Sequence, residues 1–200
     1  MSFFPSIKRN SAAPTKIHVE DADATNKFVR AFSGQLLKQL ASPDRARVIV
    51  CIGTDRSTGD SLGPIVGSRL HEINHKYFKI LGTLESPVHA SNLSDYLKVI
   101  DGLADPFVIA VDACLGNIDN VGYINIGEGS LKPGAGVNKH LPSVGNLHIT
   151  GVVNVGGFME YFVLQNTRLN VVMKMAKIIS DGIHRSSVLV ASQCQLIRPE

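Results

Sequence analysis

The sequence has no tryptophan, only three cysteines, few aromatic side chains and no long apolar run. Each shortage excludes a class of protein. Cys51, Cys114 and Cys194 are odd in number and form no C-x-x-C pair, so neither a disulfide framework nor a zinc knuckle is expected. Cys51 and Cys114 lie in or beside apolar runs and read as small core residues, which implies reduced thiols and a cytoplasmic protein. No stretch approaches the roughly 18 apolar residues that a membrane span needs. The opening residues, MSFFPSIKRN, show no apolar h-region and no small-residue cleavage site, so no secretory signal peptide is expected. The net charge is +3 and like charges are never massed in a block, so neither nucleic acid nor an anionic membrane is an expected partner. Several motifs are also missing. "GTDRSTGD" lacks the Gly-Lys-Ser/Thr ending of a P-loop, and "GEGSLKPGAGVNKH" never completes G-x-G-x-x-G between a strand and a helix. No serine sits in a G-x-S-x-G elbow, and no histidine belongs to H-E-x-x-H.

What is present alternates in type. Residues 1–20 carry Pro5 and Pro14 without a clear period and read as a loosely ordered arm; residues 21–200 read as one domain. Phe28, Phe32, Leu36 and Leu40 recur at helical spacing. "RVIVCIG", 47–53, and "PFVIAVDA", 106–113, are nearly continuous apolar runs, as in strands covered on both faces. "GPIVGSRLHEINH" follows the first run as a helix, with Pro64 tolerated in its first turn and His71 and His75 one turn apart. "FKILGTL" and "LHITGVVNVGG" read as strands, "GYINIGEG" as a more exposed one, and "NLSDYLKVIDGL" as a helix with Leu93, Leu97 and Ile100 on one face. "FMEYFVLQNTRLNVVMKMAKIISDGIH" reads as a long helix open to interruption. This order predicts an α/β fold, a three-layer α/β/α sandwich around a largely parallel or mixed sheet.

Two acids occupy matching places in that order. Asp60 lies in the turn after the first apolar run, and Asp112 ends the run "VIAVDA". In open α/β sheets ligands gather outside the carboxyl ends of the strands, near a switch in strand order. If both strands are central and parallel, the two acids face one crevice. A carboxylate ending an apolar run is costly unless solvated or paired. Turn-forming and capping roles account for aspartates equally well at such positions. The segment 131–146, "LKPGAGVNKHLPSVGN", holds three glycines and two prolines in sixteen residues. A connection of that length in a compact domain is usually functional or mobile. It is expected over the acids, with Asn138, Lys139 and His140 facing a substrate.

The segments "GTDRSTGDSLGPIVG", "SPVHASNLSDYLKVI", "PFVIAVDACLGN" and "KPGAGVNKHLPSVGNLHITGVVNVGG", in that order, resemble the germination protease of spore-forming bacteria. They match most closely its shorter relatives, the sporulation protein YyaC family. The hydrogenase maturation endopeptidases share the strand-turn-acid and strand-Asp-Ala pattern more distantly. The resemblance covers about residues 45–160. It implies a phosphorylase/hydrolase-like sandwich and a peptidase in which Asp60 and Asp112 form a catalytic acid pair. It implies small spore proteins as substrate, a spore or forespore location, no cofactor, and leaves a homo-oligomer open. The chain lacks much of the longer protease, and its loop "GAGVNKH" is one residue short against that enzyme. A catalytically inactive relative that binds a peptide or protein is therefore a second reading. A third follows the maturation endopeptidases: a metal held by Asp60, Asp112 and His140, with His89 as the next candidate.

Overall fold

The computed structural model describes residues 14–39, 45–73, 75–134 and 141–196, with the backbone alone of 194–196. The elements run β1 (Thr15–His18), α1 (Ala24–Gln39), β2 (Arg47–Cys51), α2 (Leu62–Glu72), β3 (Lys79–Leu81), α3 (Leu93–Asp101), β4 (Phe107–Gly116), β5 (Tyr123–Glu128), β6 (Leu147–Val155), α4 (Glu160–Gln165) and α5 (Leu169–Leu196). Short 3-10 turns at Gly59–Ser61 and Ile118–Asn120 complete the set.

The strands form one mixed sheet in the order β1-β5-β6-β4-β2-β3. β3, β2, β4 and β6 are mutually parallel, and β5 and β1 close the far side antiparallel. The two-residue period of a strand divides the apolar residues between two faces. Ile49 and Cys51 of β2 and Ile109 and Val111 of β4 join α1, α2 and α5 in one core cluster. Val48, Val50, Val108 and Ala110 join Leu93 and Ile100 of α3 in the other. The near-continuous apolar runs of β2 and β4 follow from this: both faces are covered, so neither can be polar. The result is the three-layer α/β sandwich expected from the alternation of elements.

Helix α1 earns its place through one buried stripe. Phe28, Phe32 and Leu36 are fully buried at spacings of four, each contributing about 1.5–3 kcal/mol by leaving water. Phe28 packs so closely on α5 that a Cβ at Gly182 would lie 2.2 Å from its ring. On the opposite side of α1, Gly34 is exposed with nothing within 4 Å of where a Cβ would stand. Gly34→Ala is therefore expected to stabilise the protein by about 0.5–1 kcal/mol, read as a rise in the urea midpoint without a change in slope.

The structure departs from expectation at two places. Thr15–His18, placed by its composition at the end of the arm, pairs with β5 as an edge strand. Only Ile17 of its four residues is buried, too little for a visible period. The helix after β2 stops at Glu72, so His71 and His75 do not share a helical face. His75 instead turns to α5, its Nδ1 3.5 Å from His184 Nδ1 and its ring stacked on Phe78. Burial, with His184 beside it, pushes the His75 imidazole down to about 4. The final helical stretch, read as open to interruption, is interrupted after Gln165, giving α4 and α5.

Candidate functional site

The chain crosses the sheet in opposite directions from β2. It goes to β3 through α2 on one face and back to β4 through α3 on the other. The carboxyl ends of β2 and β4 are thus a topological switch point, where two connections diverge and leave a crevice. β2 leaves the sheet just there. Ile52 still donates its N–H to Val111 O at 2.7 Å, while β4 continues to Gly116. The next β4 residue is Asp112, on the same face as Val108 and Ala110 by the strand period.

Asp60 reaches the crevice from the 3-10 turn Gly59–Ser61 that leads into α2. Close backbone packing holds this turn against the end of β2. Thr54 N–H donates to Asp60 O at 3.1 Å. Gly53 has φ +138°, and a Cβ there would stand 1.9 Å from the same Asp60 oxygen. Only glycine permits both the conformation and the approach. Gly53 is therefore a packing device that seats the acidic turn.

Asp60 and Asp112 line one cavity of about 230 Å³. Its walls are mostly apolar, with Ile52, Leu115, Leu141 and Leu164 among them, and Lys132 and His89 add polar groups. Ser91 N–H donates to His89 Nδ1 at 3.3 Å, which leaves Nε2 as the protonated nitrogen of the neutral ring. Asp112 is 6% exposed, and Ala113 N–H donates to its Oδ1 at 2.9 Å. Burial and then the neighbouring Asp60 push its carboxyl well above the usual range, against the weaker pull of the Ala113 hydrogen bond. Asp60 is half-buried.

This electrostatic arrangement has a consequence for stability. The folded state holds the Asp112 proton more tightly than the unfolded chain does, so stability falls as pH rises from about 3.8 toward the raised value. The steepest loss is about 1.4 kcal/mol per pH unit. Asp112→Asn removes that titration. It is expected to raise the melting temperature at neutral pH, with the gain vanishing below about pH 3.8. Calorimetry across that range, in parent and variant, reads both parts.

Several residues stand elsewhere than expected. Cys114 is only half-buried and lines the cavity beside Asp112, because β4 runs on past its covered part. Burial, with Asp112 nearby, pushes its thiol up to about 11. The described ends of the segment 131–146 do flank the acids: Leu131, Lys132, Pro133, Gly134 and Leu141 line the cavity. A bridge between Leu131 and Val144 pins the base of that segment. Asn138, Lys139 and His140 lie outside the described residues. Among the described residues no three His, Cys, Asp or Glu side chains come together as a metal-binding group. Of the three expected metal ligands, Asp60 and Asp112 line one cavity, and His140 lies outside the described residues. Asp55, five residues before Asp60, is exposed and outside the cavity lining. Leu164 of α4 is a wall residue that the sequence does not announce, since nothing local in α4 signals that it turns back onto the Asp60 turn.

Among the described residues no helix is long and apolar enough to cross a membrane. The fold is similar to that of a [NiFe] hydrogenase maturation protease, HycI, from Thermococcus kodakarensis KOD1. The likeness has a TM-score of 0.52 at 19% identity and covers 76% of this chain and 99% of that one. A protein of Bacillus subtilis (strain 168), named as uncharacterized protein YyaC, is 56% identical over 164 residues. The match spans 82% of this chain and 78% of the relative. Residues 16–182 match the family described as protein of unknown function (DUF1256), and the chain belongs to that family.

Proposed function

We propose that the protein is a peptidase that hydrolyses peptide bonds by an Asp60/Asp112 acid pair. The observation that carries this reading is a buried carboxyl, Asp112, raised by burial and by a second acid in one cavity at the sheet's switch point. Two neighbouring carboxyls do not both ionise cheaply, so the pair shares a proton. Asp112, the more buried, keeps it; Asp60, nearer solvent, carries the charge. Asp60 accepts a proton from water as that water attacks the scissile carbonyl, and Asp112 donates to the carbonyl oxygen. As the C–N bond breaks, Asp60 gives its proton to the leaving amine and Asp112 takes one back from a hydroxyl of the tetrahedral intermediate, so the new carboxyl group forms and the pair returns to its starting state. The apolar walls exclude bulk water and strengthen these charge effects. Small proteins of the spore are the substrate class to test first, on the resemblance to the germination protease. The test is incubation of the parent and of Asp60→Asn with an extract of small spore proteins, with new chain termini read by mass spectrometry. Termini produced by the parent alone support the reading; identical profiles remove it.

A further inference from the structure

The short helix α4 is unusual in what it leaves in water. None of its six residues is buried. Tyr161 is 62% and Phe162 55% exposed, and Phe158, just before the helix, is 83% exposed. A cluster of exposed rings on one element is unlike the scattered apolar residues of an ordinary surface and marks an interaction site. The element is nonetheless held firmly in place. Asn154 Nδ2 donates to Thr167 Oγ1 at 3.2 Å, and Thr167 Oγ1 donates to Val163 O at 2.8 Å. Glu160 Oε1 accepts from Gly157 N–H at 3.1 Å. Met159, at the head of the helix, holds φ +50°, which non-glycine residues adopt only where the surroundings impose it.

Both ends of this element meet the cavity. Leu164 is a cavity wall and packs on the acidic turn: a Cβ at Gly59 would lie 2.8 Å from Leu164 Cδ2. Tyr161 precedes Leu164 by three residues, so the two are neighbours on the helix surface. At the other end Gly156 N–H donates to Gly116 O at 2.9 Å, beside Leu115, another wall residue. Leu164 is thus shared: it lines the cavity and stands beside Tyr161 on the helix that bears the exposed rings.

We propose that the exposed face formed by Phe158, Tyr161 and Phe162 docks an apolar segment of the polypeptide whose scissile bond enters the Asp60/Asp112 cavity. The proposal rests on the peptidase reading for the role of the bound chain, but the docking itself needs no chemistry. Continuity with the cavity selects a polypeptide as occupant, since the same chain can fill both. Charge argues against a lipid surface: residues 155–166 contain no lysine or arginine to meet anionic headgroups.

The test uses the full chain carrying Asp60→Asn, so that binding is read without turnover. The probes are two fluorescein-labelled sixteen-residue peptides in a Gly/Ser/Gln background, one bearing two Leu and one Phe, the other Ser at those places. The apolar probe is expected to bind at least tenfold more tightly by fluorescence anisotropy. Adding Phe158→Ser, Tyr161→Ser and Phe162→Ser together is expected to erase that difference while leaving the melting temperature unchanged, because the three rings are exposed. Equal binding of both probes overturns the proposal, as does apolar binding that survives the triple change. So does self-association, or binding to phosphatidylglycerol vesicles, that accounts for the face and is lost in the triple variant without loss of probe binding. Failure of the two readings is separable. If the parent cleaves nothing yet the triple change removes probe binding, docking stands and the peptidase falls. If the same three ring changes, made with Asp60 intact, leave cleavage of spore proteins as fast as the parent's, docking falls and the peptidase stands.

Discussion

Asp60→Asn and Asp112→Asn are each expected to lower the cleavage rate by on the order of a hundredfold to ten-thousandfold while the fold persists. The two losses have different origins. An amide at position 60 cannot accept the proton of the attacking water. An amide at position 112 still accepts the Ala113 N–H but has no acidic proton to give to the scissile carbonyl. The acids form a unit, so the double variant should be little slower than either single one; losses that multiply would argue against a shared mechanism. The parent rate should follow a bell-shaped pH profile, falling when Asp60 is protonated and again when Asp112 loses its proton. Because burial and Asp60 raise Asp112, the alkaline limb lies well above the ordinary carboxylate range. Asp55→Asn supplies the control. It removes the same charge five residues away, at an exposed position outside the cavity lining, and should keep most of the activity. Activity lost on Asp55→Asn and retained on Asp60→Asn would defeat the assignment. A folded parent that cleaves nothing, yet binds a peptide that Asp60→Asn also binds, would make the protein a binding relative instead.

Gly53→Ala is the second change of large expected effect, because it strikes the seat of Asp60 rather than its chemistry. Backbone at φ +138° strains an alanine by on the order of 1–3 kcal/mol. Its Cβ would also meet the Asp60 carbonyl oxygen at 1.9 Å, and relieving that overlap costs about 1–3 kcal/mol more. The relief must move the backbone of Asp60, so activity should fall further than stability explains. Gly129→Ala separates the two contributions. Gly129 has φ +95° with nothing within 4 Å of a Cβ, so it suffers strain alone. Urea unfolding should show the larger loss at Gly53, and only Gly53→Ala should impair cleavage at temperatures where both variants are folded. Equal effects of the two substitutions would show that the contact with Asp60 O is unimportant.

The division between local and tertiary information can be followed residue by residue. Strands β2 and β4 were legible because a strand buried on both faces has no polar positions, and "RVIVC" and "FVIAV" have none after Arg47. Helix α3 was legible because Leu93, Leu97 and Ile100 repeat at the helical period and face one cluster. Asp112 was locally conspicuous, since an acid ending an apolar run is an anomaly whatever lies around it, whereas Asp60 was singled out by its place in the turn after a strand. By contrast β1 has one buried residue in four, and an edge strand supported by a single neighbour leaves no pattern. The exposure of Cys114 was hidden because β4 outruns β2, a fact about two segments more than fifty residues apart. Leu164 reaches the same cavity from a helix far along the chain, and no periodicity relates it to Asp60. The sequence by itself determined those strands and helices that bury one face or two, because such burial imposes a short-range period. Only the tertiary structure decided that α4 closes on the acidic turn and leaves its rings in water, because that depends on strand order, which brings together residues that share no local pattern.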